Sequence, residues 1–356
     1  MRTWQRLALV AGTLAVGVAA LELIYGSWLR SNPWERALAL GVVADQRLAY
    51  DAGGLYEGGG SVVYTRDRYG LRGNYGNPGD ITILTVGGST TDQRYISDGL
   101  TWQDELERRL RAAGKPVNVA NAGVNGHTTF GHLASYDYWF PLIPGLRPRY
   151  TILYVGLNDF LLSEPMFPLE RTDGATTLVH RIKANSALYR LYATVRGILL
   201  TRRSLGTRVD FEHLPYTSRP RWNDYDAAAG AQLSGFAQRF DRLLERVQEG
   251  GSVPVCVTQP TMFYRIDNGR VVGVDIDVSF EAPIPIDEIN GMDYFYLRRR
   301  LDAIILASCR AIDAPAIDLA MAVWEPAGFY DFEHMSPVGA KQLGGRIAAA
   351  MQDLPW

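Results

Sequence analysis

Ser89 stands behind an apolar run, Ile81-Thr82-Ile83-Leu84-Thr85-Val86, and two glycines, Gly87 and Gly88, and ahead of Thr90 and Thr91. A serine hydroxyl is a weak nucleophile and needs a base within hydrogen-bond reach. The chain holds five histidines, His127, His132, His180, His213 and His334. His334 has a carboxylate three residues earlier in a loop directly before a helix: Asp331-Phe332-Glu333-His334-Met335-Ser336-Pro337. Asp331 can hold one imidazole nitrogen while the other faces the serine. Gly126 offers a backbone N–H that no Cβ shields, and Asn158 offers a side-chain amide. With the Ser89 N–H these make three donors for an oxyanion, each worth about 3–4 kcal/mol when removed. In a hydrolase the Asn158 amide is expected to aim into the pocket, unpaired with backbone.

Each piece has an ordinary reading on its own. Gly-Gly-Ser-Thr is a turn, Asn121-Ala122-Gly123-Val124-Asn125-Gly126 a strand-to-helix connection, Asn158-Asp159 a helix cap, and an Asp-x-x-His spacing arises by chance. The joint occurrence, in order and at successive strand ends, is the specific signal.

The elements that must position these residues read as α/β. Strands are expected at Ile81–Val86, Val117–Ala120, Thr151–Val155, Val253–Val257 and Ala314–Leu319. Helices are expected at Trp102–Ala113, where Leu106 and Leu110 lie four apart among charges, and at Gly131–Phe140, Ala229–Gln248, Leu297–Ala311 and Pro337–Met351. Such alternation predicts a parallel sheet covered on both faces. Ligands in such sheets bind outside the carboxyl ends of the strands. Ser89, Gly126, Asn158 and the Asp331–His334 loop all fall just after predicted strands.

These motifs resemble those of the GDSL/SGNH hydrolases. Ser89 matches the serine block, with Gly87-Gly88-Ser89-Thr90-Thr91 where Gly-Asp-Ser-Leu is usual. Gly126 matches the glycine block, Asn158 the asparagine of the Gly-x-Asn-Asp block, and Asp331 with His334 the Asp-x-x-His block. The resemblance covers residues 80 to 352. It implies a flavodoxin-like five-stranded parallel sheet with helices on both faces. It also implies ester hydrolysis or acyl transfer through an acyl-serine, with no metal or cofactor. The catalytic set would be Ser89, Asp331 and His334, and the oxyanion hole Ser89, Gly126 and Asn158. Two departures touch substrate contacts: Gly88 replaces an aspartate, and His127 stands where some members have one.

The first 80 residues lie outside that core and resemble those of membrane-tethered bacterial members. Leu7–Leu29 is apolar with one charge, Glu22, and follows Arg2 and Arg6. About 20 residues span a bilayer core. An uncleaved anchor, N-terminus inside, accounts for apolar character as far as Trp28, with Trp28 and Trp34 as an aromatic belt. A cleaved signal peptide with a site near Val18-Ala19-Ala20 is the rival. Glu22 either reaches headgroup water or contacts a neighbouring membrane helix. The organisation is thus residues 1–34 as anchor with flanks, 35–79 as a glycine-rich connection in which Ser61–Thr65 reads as an edge strand, and 80–356 as the hydrolase-like domain.

Two insertions interrupt that domain, at 160–225 and 260–291. Ser186–Leu200, with arginines at Arg190, Arg196, Arg202 and Arg203, reads either as a packed helix or as one lying on a membrane. Asn268-Gly269 between apolar residues signals a hairpin, suited to a lid or a docking surface. Cys256 and Cys309 are in no Cys-x-x-Cys pattern, which argues against zinc; two buried free thiols are expected in preference to a disulfide. A net charge of −2 gives no field to recruit nucleic acid. Two functions follow. One is a membrane-anchored extracytoplasmic serine esterase or acyltransferase, acting on an acylated small molecule, glycan or lipid. The other is a non-catalytic subunit that uses the same fold to join a membrane-protein complex.

Overall fold

The chain begins with α1 (Thr3–Tyr25), whose apolar residues point outward: Leu9, Val10, Leu14, Val16, Leu23 and Ile24 are all exposed. The computed structural model describes residues 3–26, 28, 33–161, 182, 185–189, 192, 208–278 and 289–356. Trp4–Tyr25 has a mean hydropathy of 2.2, and at 1.5 Å per residue it is about 33 Å long. Glu22 has partners within its own chain. Its carboxylate accepts from Trp28 Nε1 at 2.7 Å, Ser186 Oγ at 2.7 Å, and the N–H groups of Ala187 and Leu188 at 3.0 Å each. The glutamate therefore caps a segment of this chain's own first insertion, where orphan N–H groups welcome a negative charge. Of Ser186–Leu200 only Ser186–Tyr189 and Tyr192 are described; the four arginines of that region lie outside the described residues.

The connection 35–79 is built into the fold. The short helix α2 (Glu35–Ala39) buries Ala37 and Ala39, and Trp34 packs against the main core rather than standing in a belt. Strands β1 (Gln46–Asp51) and β2 (Ser61–Arg66) pair antiparallel as a separate two-stranded sheet, so Ser61–Thr65 is an edge strand, of this sheet rather than the main one. Arg72 and Asn121 then exchange backbone hydrogen bonds of 3.0 and 2.8 Å. One backbone bridge thus joins the connection to the main sheet beside the Asn121 strand.

The main sheet follows in βα order: β3 (Ile83–Gly87), α3 (Ser89–Asp92), α4 (Trp102–Ala112), β4 (Val119–Asn121), α5 (Thr129–Tyr138), β5 (Tyr150–Tyr154) and α6 (Leu157–Leu161). After the first insertion, with its two-residue strand β6 (Tyr216–Thr217), come α7 (Tyr225–Glu249) and β7 (Val253–Val257). The second insertion is a hairpin of β8 (Tyr264–Asp267) and β9 (Arg270–Val274). Then come α8 (Gly291–Ala311), β10 (Ala316–Ile317) and α9 (Pro337–Met351). The five parallel strands lie in the order β10-β7-β5-β3-β4. In chain order this is 2-1-3-4-5, the doubly wound arrangement whose crevice opens beside the first strand.

Alternation along each strand divides the core. Ile83, Ile152 and Val255 face one layer with Trp102, Leu106, Leu343 and Ile347 of α4 and α9. Leu84, Val86, Leu153 and Cys256 face the other, with Phe236, Phe240, Leu301 and Ile305 of α7 and α8. This is the period-2 pattern of a strand buried on both sides. The same register sets Cys256 beneath Cys309 of α8. The two are joined as a disulfide with Cα atoms 6.4 Å apart, which overturns the free-thiol expectation. A separation of 53 residues in sequence gives no hint of that contact; the packing of helix on strand creates it. Closing a loop of that length stabilises by about 4 kcal/mol on the chain-entropy model. In the hairpin, Asn268 and Gly269 take φ of 48° and 76°, as a two-residue primed turn requires. β6 adds a third strand to it, and residues 279–288 of that insertion lie outside the described residues.

Candidate active site

The carboxyl end of β3 delivers Ser89 as the first residue of α3, with Gly88 just before it. A Cβ at position 88 would lie 2.6 Å from Asn158 Nδ2. An aspartate here would have to displace the Asn158 amide, and Gly88 leaves that amide its place. On the other side of Ser89, the loop after β10 returns His334. Its Nε2 is 2.8 Å from Ser89 Oγ, and its Nδ1 is 2.9 and 3.1 Å from the two Asp331 oxygens. A carboxylate only accepts, so Nδ1 carries the proton and Nε2 is free to take one from the serine.

The loop that sets this relay is itself well held. Asp331 Oδ1 accepts from the N–H groups of Glu333 and His334 at 2.9 and 2.7 Å. Burial works against an ionised Asp331. The bond and charge of His334, with those two N–H groups, outweigh it and leave the carboxyl below its usual range. Burial likewise opposes a charged His334, yet the Asp331 bond and charge, joined by the Glu333 charge, raise the imidazole above its ordinary value. The Tyr330 ring stacks on the His334 ring, with centroids 5.7 Å apart and planes 6° off parallel.

The oxyanion side is built from β4 and β5. Val124 O accepts from His127 N at 3.1 Å, and Gly126 takes φ 81° while Asn125 stays at negative φ. That is the third position of a type II turn, where glycine is favoured. The turn itself thus demands the glycine, independently of any ligand. Asn158 Nδ2 donates to His127 O at 2.8 Å, so the amide is not unpaired with backbone as expected. An amide nitrogen has two hydrogens; one ties Asn158 to the glycine loop and the second remains for a ligand. The cap expected at Asn158-Asp159 belongs to Asp159. Its carboxylate accepts from Thr129 N at 2.9 and 3.1 Å, from Thr129 Oγ1 at 2.5 Å, and from Arg239 Nη2 at 3.3 Å. This fixes the start of α5 against the end of β5.

The His127 ring is buried and donates from Nε2 to Leu40 O at 2.7 Å. Burial pushes it down to about 4, so it is neutral near pH 7. Gln259 went unnoticed in the sequence. Its amide donates to Thr90 Oγ1 at 2.8 Å and Tyr154 O at 3.0 Å, and no local pattern marks it. Gly88, His127, Leu157, Asn158 and Gln259 line the surface beside Ser89. Glu333, which accepts from Tyr294 OH at 3.2 Å behind His334, was also unmarked.

Asn158→Ala tests the oxyanion side. Turnover is expected to fall about 10²–10³-fold, as when one such donor is removed, with a smaller change in ground-state binding. Loss of the bond to His127 is expected to lower stability by about 1 kcal/mol. Kinetics and melting on the same variant separate the two. Unchanged turnover with early melting would leave Asn158 a purely structural residue.

Residues 85–256 match the model of the GDSL-like Lipase/Acylhydrolase family. The matched stretch holds Ser89, Gly126 and Asn158 and ends before Asp331 and His334. Among solved structures, the chain is similar to an acetyl xylan esterase at 13% identity, covering 76% of this chain and 99% of that one, with a TM-score of 0.42. It is also similar to the lipase/acylhydrolase from Enterococcus faecalis, at 16% identity, 76% and 96% coverage and a TM-score of 0.41. No curated protein matches the sequence.

Proposed function

The chain belongs, through residues 85–256, to the GDSL-like lipase/acylhydrolase family, and on that premise we propose that it is a membrane-anchored, extracytoplasmic serine esterase or acyltransferase. Ser89 attacks an acyl carbonyl as His334 takes its proton. His334 then returns the proton to the leaving alcohol, and water or a second alcohol releases the acyl group. Asp331 orients His334. The Ser89 and Gly126 N–H groups and the Asn158 amide stabilise the oxyanion. The observation that carries this reading is the unbroken relay from Asp331 through His334 to Ser89.

The substrates fitting this reading are acylated cell-envelope glycans or lipid esters. Two observations support a retained anchor and an outside domain. Cleavage after Ala20 would leave Glu22 as the second residue of a free end, unable to hold Ser186–Leu188. The Cys256–Cys309 disulfide suits an oxidising compartment.

One experiment tests the reading: treatment of the detergent-extracted full-length protein with a fluorophosphonate, followed by intact and peptide mass analysis. One adduct on Ser89 is expected, on a chain that retains the segment before Leu21. No adduct would remove the enzyme reading, and a mature start near Leu21 would remove the anchor. The same preparation is expected to turn over p-nitrophenyl acetate.

A further inference from the structure

Three residues ahead of the family-matched stretch reach into the site from behind. Leu40 O accepts from the His127 ring, one residue past Gly126. Arg66, buried at 6% exposure, turns its planar fork on four partners. Its Nε donates to Tyr64 OH, Nη1 to Gly70 O at 2.5 Å, and Nη2 both to Asp92 Oδ1 at 2.6 Å and to Gly123 O. Asp92 is the last residue of the one-turn helix that Ser89 opens, and Gly123 begins the turn that ends in Gly126. Arg72 adds bonds from Nη1 to the carbonyls of Asp92 and Gln93 at 2.8 and 2.9 Å, and from Nη2 to Ile96 O. Its own backbone pairs with Asn121.

From these contacts we infer that residues 40–72 are a built-in brace. In it Arg66 is the positioning residue that fixes the nucleophile's helix against the oxyanion loop. The inference rests on the proposed esterase chemistry. A buried guanidinium with a buried carboxylate is an unproductive way to gain stability, since desolvation of both ions offsets their attraction. What the fork supplies is geometry: one rigid plane ties two loops from neighbouring strands. Those loops carry the Ser89 and Gly126 N–H groups that must converge on one oxygen. A displacement of about 1 Å at such a site costs about 10²-fold in rate.

Arg66→Lys in the full-length protein is the test. It keeps a charge opposite Asp92 and gives up the fork. The expected result is a kcat lowered about 10²-fold, KM within threefold of wild type, and a folded protein that still accepts fluorophosphonate at Ser89. Combined with Asn158→Ala, the losses are expected to be less than additive, because both act on one oxyanion site. Wild-type kcat in folded Arg66→Lys, or full additivity, overturns the brace. Should that variant fail to fold, Arg72→Lys carries the same measurements and the same criteria. A wild type that neither turns over esters nor takes the probe would instead refute the esterase reading, which this comparison keeps separate.

Discussion

Ser89→Ala is expected to lower ester turnover about 10⁶-fold, the scale seen when a serine hydrolase loses its nucleophile, and to abolish fluorophosphonate labelling. The expectation follows from the 2.8 Å contact between Ser89 Oγ and His334 Nε2. Without Oγ no acyl-serine forms, and the oxyanion donors and binding alone leave about 10³–10⁴-fold over water. Stability should change by about 0.5 kcal/mol or less. Ser89 opens a one-turn helix through its backbone, and its hydroxyl holds none of the core together. Activity and melting should be measured on one preparation. Equal turnover in the variant would remove Ser89 from the mechanism. A wild type without turnover or labelling would favour the alternative of a docking subunit in a membrane complex.

Asp331→Asn is expected to lower kcat about 10⁴-fold near neutral pH, because an amide facing Nδ1 favours the wrong imidazole tautomer. With the N–H of Asn toward Nδ1, the proton moves to Nε2, which then cannot accept from Ser89. The pH profile provides a second reading. Burial would lower His334, but Asp331 and Glu333 raise it, so its acid limb lies above the ordinary imidazole value of about 6.5. His334 must be neutral to act as base. Turnover in the wild type therefore falls as pH drops through that raised value. Removing the Asp331 charge takes away the main support of the imidazolium, and the limb shifts to lower pH. A limb that stays in place would assign the raised value to Glu333. Stability has the opposite sense: the His334 contribution is full below about 6.5 and is lost as pH rises through the folded value.

Much of this molecule was legible in one dimension. The strands around Ile83–Val86 and Val253–Val257 are mostly apolar because both faces of the sheet are covered, and such runs are readable without partners. Pro337–Met351 was legible to its ends because Ser336 caps it and Pro337 occupies its first turn. The turn at Asn268-Gly269 was readable because few residues tolerate two positive φ values. Ser89, Gly126, Asn158, Asp331 and His334 stood out because each follows a strand, where a doubly wound sheet presents its ligand site.

Tertiary structure alone decided the rest. The disulfide depends on which strand face meets which helix turn, and a spacing of 53 residues carries no such information. Glu22 was read as a membrane problem, whereas its partners, Ser186, Ala187 and Leu188, lie more than 160 residues away. Asn158 was expected free of backbone, and only the convergence of the loops after β4 and β5, on either side of β3, places His127 O within its reach. Arg66 and Arg72 belong to no motif in the sequence. Several of their partners are backbone carbonyls, which every residue type provides, and their carboxylate partners, Asp92 and Asp98, lie 26 residues further along the chain. Sequence determined which groups do the chemistry and at which strand ends they stand, because those demands are local in residue type and spacing. The fold decided what holds them in register, because that task is carried by contacts between segments distant in the chain.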